Sequence, residues 1–180
     1  MPWKFENAAP FIGTITEGNC WTGHHMLYSN VSLNRIMKYD PTTGRVDIFK
    51  ENTEGINGLN FDIEGNLYAC ASEGRKIVRL ENNGNMTTIV ERLDGRRINS
   101  PNDLAITPTG SIYFSDRVGD SSPNVGINHS SIISAEPTGD GQYRCFRRTY
   151  DTTMPNGLLF SLDYKNLYVA QSDFRANEKR

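Results

Sequence analysis

Short apolar runs alternate with turn residues along the chain, and one such unit recurs four times in its 180 residues. Each copy begins with a polar residue, reaches a large apolar residue four positions later, and passes through a turn into a second apolar run that contains a tyrosine. The tyrosine follows the first residue by eleven positions in three copies and by twelve in the fourth. This pattern predicts a strand, a tight turn and a second strand. The four copies begin at Glu17, Asn57, Asn102 and Asn156.

A second apolar hairpin follows the first in three copies, over residues 35–49, 76–90 and 131–146. Four antiparallel strands in a unit of about 40 to 50 residues are typical of a β-propeller blade. The alternative all-β architecture, a β-sandwich, gives no reason for the same offsets to recur. We therefore predict an all-β propeller, with Trp21 and the four tyrosines in the blade cores. It would be a single domain over residues 1–180, with blades starting near 17, 57, 102 and 156.

The fourth copy contains only its first hairpin, because ten residues follow Ala170. We therefore expect about four blades and a ring that is not closed, as in the N-terminal portion of a longer propeller. The longest interval between copies contains a polar stretch over residues 116–126. We expect this stretch to form a loop on one face of the disc, bordering an active site.

The charge of the chain is nearly balanced, with 19 basic and 21 acidic residues and a formal net charge of −2. This balance excludes the strongly basic surface with which proteins bind nucleic acid or an anionic membrane. The first residues lack the apolar run of a signal peptide, and no stretch approaches the roughly 18 apolar residues of a membrane span. The three cysteines are far apart in the sequence, which favours free thiols. We expect a cytoplasmic protein, a monomer or weak homo-oligomer, that binds neither nucleic acid nor membrane.

The first residue of each copy carries the candidate chemistry. Equivalent positions on the innermost strands of a propeller form a ring around the central channel. Glu17, Asn57, Asn102 and Asn156 would all present side-chain oxygen atoms there, and such oxygens bind Ca²⁺, Mg²⁺, Mn²⁺ or Zn²⁺. The alternative is that asparagine recurs because its side chain caps the turn before each strand. The carboxylate of Glu17 favours the cation, because an inward charge in a narrow channel needs a partner.

Three short motifs add a family resemblance. They are Glu17-Gly18 followed by Trp21, the run Asn-Ser-Pro-Asn-Asp over residues 99–103, and Met-Pro-Asn-Gly-Leu over residues 154–158. In this order they resemble motifs of the SMP-30, gluconolactonase and luciferin-regenerating-like family, and the similarity extends over nearly all of the chain. The resemblance implies a six-bladed propeller with one divalent metal ion in its channel. It also implies a hydrolase that opens sugar lactones by attack of water on a metal-polarised carbonyl.

The resemblance also assigns roles to individual residues. Glu17 and Asn156 match metal ligands of the family, and Asn102 matches a further ligand or a substrate contact. Asn57 is expected to support the ligands from behind. Ser100 and Asp116 are further candidates for binding the substrate.

The family's general base is an aspartate that the resemblance places beyond residue 180. Among the carboxylates that are present, Asp103 is nearest in sequence to the motif residues and is the candidate base. Its alternative role is to pair with a backbone amide of a strand or turn below the site.

Some positions depart from the family pattern. Asn19 replaces the usual proline of the first motif, and Arg117-Val118-Gly119 replaces a proline and an aromatic residue in the expected substrate wall. The identity of the lactone is therefore open. Two alternatives remain: a phosphotriesterase-like or luciferin-recycling hydrolase that uses the same site, and a non-catalytic calcium-binding or inactive fragment.

Overall fold

The structure, a computed structural model, describes residues 3–9, 15–118, 127 and 129–173. These residues form strands and a single 3-10 turn over Val31–Leu33, and they contain no α-helix. Three sheets have four antiparallel strands each, and we call them the first, second and third blades. The first blade contains β1 (Thr16–Trp21), β2 (Met26–Asn30), β3 (Arg35–Tyr39) and β4 (Val46–Glu51).

The remaining strands continue this arrangement along the chain. The second blade contains β5 (Ile56–Phe61), β6 (Leu67–Ala71), β7 (Lys76–Leu80) and β8 (Met86–Val90). A small hairpin follows, formed by β9 (Arg92–Leu93) and β10 (Arg96–Arg97). The third blade contains β11 (Ser100–Ile106), β12 (Ile112–Arg117), β13 (Ser131–Pro137) and β14 (Tyr143–Arg147). Within the part of the chain that the structure describes, the fourth blade is the single hairpin of β15 (Pro155–Phe160) and β16 (Leu167–Gln171).

Strand order in every sheet follows the order of the chain, so that each blade is a meander. The first strands of successive blades, β1, β5, β11 and β15, contact one another. They are therefore the inner strands, as the sequence repeat predicts. Within the described residues no sheet closes on itself. The predicted all-β propeller, with its half-formed fourth blade, is confirmed.

Hydrophobic side chains between neighbouring blades hold the fold together. Three clusters of buried side chains occupy the three interfaces between blades. Between the first and second blades the cluster centres on Leu27, Ile36 and Ile56, and between the third and fourth blades it includes Ala105, Ile132 and Leu158. The cluster between the second and third blades is larger and includes Tyr68, Ile77, Leu104, Phe114 and Ile133.

The prediction that Trp21 and the four tyrosines lie in the blade cores is wrong for two of these aromatic residues. Trp21 is 50% exposed and Tyr168 is 62% exposed. Side chains alternate between the two faces of a strand. Cys20 packs towards the second blade, and Leu167 and Val169 pack towards the third, so the aromatic neighbours point to the other faces of their sheets.

The first copy also differs from the others in strand register, so that Tyr28 is not equivalent to Tyr68 of the second blade. Trp21 pairs with Met26, whereas Phe61 of the second blade pairs with Leu67. The turn of the first blade is therefore one residue shorter, and Leu27 takes the position that Tyr68 holds in the second blade. The sequence does not reveal this difference in turn length, because the tyrosine follows the first residue of both copies by the same eleven positions.

A β-bulge interrupts every inner strand next to the predicted ring residue, and in the first blade it begins one position later than in the other three. The pairing register shifts between Glu17 and Cys20, between Ile56 and Leu59, between Pro101 and Leu104, and between Pro155 and Leu158. The bulged segment contains the predicted ring residue or follows it directly. A bulge bends its strand and re-aims side chains. Asn57, Asn102 and Asn156 therefore lie outside the regular ladder, whereas Glu17 is the last regular pair before the bulge of its strand.

The inner strands approach one another so closely that two glycines leave no room for a side chain. A Cβ atom on Gly18 would lie 2.2 Å from the carbonyl oxygen of Asn57. A Cβ atom on Gly58 would lie 2.5 Å from Oδ1 of Asp103 in the third blade. Both distances are far shorter than a van der Waals contact, so these glycines set the spacing of the inner strands.

The described residues contain three free cysteines, as predicted, and no helix long and apolar enough to cross a membrane.

The close approach at Gly18 predicts a large loss of stability on substitution by alanine. Gly44 is the matched control, because its φ of +71° resembles the +55° of Gly18 but nothing lies within 4 Å of its Cβ position. We expect Gly44→Ala to lower the free energy of unfolding by about 1 kcal/mol, from backbone conformation alone. Gly18→Ala adds an overlap with backbone atoms and should cost about 3 kcal/mol or more. Urea unfolding measures both, and equal losses would contradict the proposed crowding.

Candidate functional site

The inner strands of all four blades converge on one cavity of about 260 Å³. Glu17, Asn57, Asn102 and Asn156 all line it, so the structure brings the four predicted ring residues together. Asp103 lines the same cavity. The position of Asn19, where the family motif carries proline, is also part of the wall.

The donor atoms of this ring are almost entirely amide oxygens. Among the described residues no three histidine, cysteine, aspartate or glutamate side chains gather into a possible metal cluster. The ring instead combines one carboxylate, that of Glu17, with the carboxamides of Asn57, Asn102 and Asn156. Carboxylate and amide oxygens are the ligands that hard cations such as Ca²⁺ and Mg²⁺ prefer. The donor set therefore fits a hard divalent cation.

Asn156 is fixed by the end of the neighbouring strand β16. Its Nδ2 donates a hydrogen bond of 2.9 Å to Oγ of Ser172, and the Ser172 backbone N–H donates to the Met154 carbonyl at 2.9 Å. Oε1 of Gln171 accepts the backbone N–H groups of Thr153 and Met154 at 3.0 and 3.1 Å. We call Gln171 and Ser172, with these four hydrogen bonds, the strand-end clamp.

Sequence reasoning missed the strand-end clamp. A signal was present, because Ser172 follows Leu167 by five positions, as Ser72 follows Leu67 in the second blade. Ser72 uses its hydroxyl differently, donating to the Pro101 carbonyl of the third blade. The repeat could therefore have indicated a recurring serine, but not the atom that each serine contacts.

Asn57 is held through its backbone. Its carbonyl oxygen accepts a hydrogen bond of 2.7 Å from Oγ of Ser29, on strand β2 of the first blade. Ser29 is completely buried and is the pairing partner of Glu17. The first two ring residues are therefore tied together across the interface between their blades.

Asp103 connects three blades through a single carboxylate. Leu104 in its own strand donates its N–H to Oδ1 at 2.9 Å, and Leu158 of the fourth blade donates its N–H to Oδ2 at 3.4 Å. Gly58 of the second blade leaves the space for Oδ1. At the corresponding position, directly before regular pairing resumes, the other three copies carry glycine or asparagine. A carboxylate at this position therefore occurs in the third blade alone among the four copies.

The surroundings of Asp103 raise the pKa of its carboxyl group. Burial raises the pKa of the carboxyl above its ordinary value, and the charge of Glu17 adds to the rise. The two backbone N–H groups act in the opposite direction, because they stabilise the charged form. Both carboxylate oxygens accept backbone hydrogen bonds. This is the arrangement expected if Asp103 pairs with backbone amides below the site, the alternative to a role as general base.

Ser100 and Asp116, the other predicted substrate contacts, do not line the cavity. The hydroxyl of Ser100 donates to the Ser72 carbonyl at 3.3 Å. Asp116 is completely buried, and its Oδ2 accepts the N–H of Asn99 at 2.9 Å. Of the predicted polar loop over residues 116–126, residues 119–126 lie outside the described residues.

Asp116 is a buried carboxylate with one unsatisfied oxygen. No described group donates a hydrogen bond to its Oδ1. Burial raises the pKa of Asp116 to about 7, and the amides of Asn99 and Ser100 and the charges of Arg75 and Arg147 only partly oppose this rise. The carboxyl therefore supports the 99–103 segment at a cost in free energy when it ionises.

Asp116 gives a prediction about the dependence of stability on pH. The folded carboxyl has a pKa of about 7, whereas an unfolded aspartate titrates near about 3.9. Between these values the folded state holds the proton and the unfolded state releases it, so the contribution of Asp116 to stability falls as pH rises from 4 to 7. Asp116→Asn cannot ionise and should remove this fall.

The measurement is the melting temperature between pH 5 and pH 8. We expect Asp116→Asn to gain stability relative to the wild-type chain as pH rises through this range. Substitution of the exposed Asp151 by asparagine is the control and should leave the pH dependence unchanged. Parallel curves for the wild-type chain and Asp116→Asn would show that the buried carboxyl does not carry the effect.

Comparison with known proteins agrees with the propeller fold. A curated gluconolactonase from Zymomonas mobilis subsp. mobilis is 28% identical over 179 residues, covering 88% of this chain and 49% of the relative. A solved gluconolactonase structure from Xanthomonas campestris is 30% identical, with a TM-score of 0.79, and the match covers 88% of this chain and 55% of that one. The chain thus spans about half the length of the relatives it matches.

A solved luciferin-regenerating enzyme shares the fold at 18% identity, with a TM-score of 0.68 over 88% of this chain and 53% of that one. The family model described as the SMP-30/gluconolactonase/LRE-like region matches residues 15–176, which is nearly the whole chain. With the repeated bulges and the four ring residues in place, this match shows that the chain belongs to the SMP-30/gluconolactonase/LRE-like family.

Proposed function

We propose that this chain carries part of the active site of a metal-dependent hydrolase that opens sugar lactones. The observation that carries the proposal is the convergence of one carboxylate and three carboxamides, from four different blades, on a single cavity. The 28% and 30% identity to gluconolactonases supports the choice of lactones as the substrate class.

We assign the metal to Glu17, Asn102 and Asn156. Glu17 supplies the negative charge, and the two asparagines supply neutral oxygens, a combination that suits Ca²⁺ and also accepts Mg²⁺, Mn²⁺ or Zn²⁺. Asn57 supports this set, because its backbone is tied to the first blade through Ser29. Asn102 is in addition the candidate substrate contact, being 8% exposed at the wall of the cavity.

A divalent cation in this ring would polarise the carbonyl of the lactone and stabilise the negative charge that develops when water attacks it. The chain's own residues position the reaction. Glu17 and the ring asparagines define where the substrate oxygen can lie. Ser100 and Asp116 hold the 99–103 segment from behind and thereby place Asn102.

Asp103 fits a supporting role better than that of the general base. A base needs a lone pair directed at the attacking water. Each carboxylate oxygen of Asp103 already accepts a backbone N–H, one of them from the fourth blade. We therefore propose that Asp103 holds the third and fourth inner strands together below the ring. The base would be the aspartate that the family resemblance places beyond residue 180.

Glu17 provides the direct test of the metal site. Removal of its charge with little change in shape, in Glu17→Gln, should weaken Ca²⁺ binding by about 100-fold or more, because the remaining donors are neutral amides. Isothermal titration of the purified chain measures this affinity, with hydrolysis of gluconolactone followed in parallel with and without a chelator. Glu64→Gln, in the exposed turn of the second blade, is the control. Unchanged affinity in Glu17→Gln would remove this residue from the site.

Two variants of Asp103 distinguish a supporting residue from a base. Asp103→Asn retains an oxygen that can accept a backbone N–H, whereas Asp103→Ala loses both hydrogen bonds and leaves two buried donors unpaired. We expect Asp103→Ala to lower the free energy of unfolding by about 2 kcal/mol more than Asp103→Asn. In a chain that hydrolyses lactone, Asp103→Asn should retain activity within about tenfold, well short of the loss caused by removing a general base. A well-folded but inactive Asp103→Asn variant would contradict the supporting role and show that Asp103 is the general base.

A further inference from the structure

The side chain of Asn156 can serve a cation only in one of its two orientations. A carboxamide presents a carbonyl oxygen on one side and two N–H donors on the other. Rotation by half a turn exchanges them and would direct positive hydrogens at the cation. Some contact must therefore hold the NH₂ end of the carboxamide away from the channel axis, so that the carbonyl oxygen faces the cation.

The backbone of Asn156 does not by itself provide this constraint. Register shifts between Pro155 and Leu158, so Asn156 and Gly157 lie in the bulge between regular pairs. Gly157 adds conformational freedom, and a residue in a bulge is released from the ladder that fixes side-chain direction elsewhere in a strand. The carboxamide is therefore oriented by its own contacts.

The contact that orients it comes from Ser172. Oγ of Ser172 lies 2.9 Å from Nδ2 of Asn156 and accepts its hydrogen bond. Ser172 is itself fixed, because its backbone N–H donates to the Met154 carbonyl and the adjacent Gln171 side chain accepts two backbone N–H groups. The strand-end clamp thus fixes the backbone of Ser172, and its hydroxyl oxygen faces the NH₂ group of Asn156.

We infer that Ser172 is a positioning residue for the metal site, which holds the carboxamide of Asn156 with its oxygen towards the channel. This inference rests on the proposed metal-dependent function. Ser172 acts only through Asn156. Groups that orient a metal ligand commonly change metal affinity by about 10- to 100-fold when they are removed.

The second blade supplies a matched comparison. Ser72 occupies the equivalent position after Leu67, but its hydroxyl donates to a backbone carbonyl and not to a ring side chain. Loss of the Ser72 hydroxyl removes a contact between blades and leaves the orientation of Asn156 unchanged. Because the Ser72 contact is with Pro101, next to the proposed ligand Asn102, the control variant is Ser161→Ala, whose hydroxyl lies in the turn of the fourth blade and does not line the cavity.

The experiment is isothermal titration of the purified chain with Ca²⁺, repeated with Mn²⁺. We expect Ser172→Ala to bind about tenfold more weakly than the wild-type chain. Ser172→Thr keeps the hydroxyl and should restore the affinity to within about threefold, and the control Ser161→Ala should also stay within this range. The melting temperature of each metal-free variant shows separately whether the fold is intact.

A double-mutant cycle with Asn156→Asp separates orientation from a general structural effect. A carboxylate has two equivalent oxygens, so half a turn exposes the same ligand and no orienting partner is needed. In the Asn156→Asp background the added Ser172→Ala should therefore change Ca²⁺ affinity by less than about threefold.

The outcomes distinguish the inference from the function on which it rests. Binding by the wild-type chain with no loss in Ser172→Ala would overturn the positioning role and leave the metal site intact. The same loss in the wild-type and the Asn156→Asp backgrounds would also overturn it, because orientation would not be the cause. No binding by the wild-type chain would overturn the metal site itself, and the role of Ser172 with it.

Discussion

The close approach of the inner strands around the channel is the constraint on which the other features depend. Gly18 lies against the backbone of Asn57, and Gly58 lies against Asp103, with no space for a Cβ atom at either position. This crowding brings ring residues separated by more than 130 positions in the chain to one cavity of about 260 Å³. The hydrophobic clusters between the blades stabilise the stacking, but the glycines determine how near the polar ends of the strands can come.

The repeat in the sequence was sufficient to predict the meander, the inner strands and the ring residues. Equal offsets from Asn57 and Asn102 reflect equal strand positions, and hydrophobic alternation reflects burial, so both are visible without coordinates. The exposed Trp21 and Tyr168 show where this reasoning fails. A regular pattern indicates that a side chain lies on a particular face of its strand, but not whether another sheet covers that face.

The supporting contacts of the site lay beyond sequence reasoning for a different reason. Ser72 and Ser172 occupy the same position in their copies, yet one donates to a backbone carbonyl and the other accepts from a ring asparagine. Asp116, placed by its motif near the substrate, is instead completely buried behind the segment that contains Asn102. Such differences depend on hydrogen-bond geometry at the level of single ångströms, and residue type and spacing do not determine it.

The bulge at or beside the ring residue of each inner strand separates the framework from the chemistry. Since the ring residues stand in or beside an interruption of the ladder, their side chains can be exchanged without altering the pairing that holds each blade together. A propeller of this design can acquire a different set of donors one blade at a time while its sheets remain unchanged. New catalytic specificity would then arise from a few substitutions at the axis, with little cost to folding.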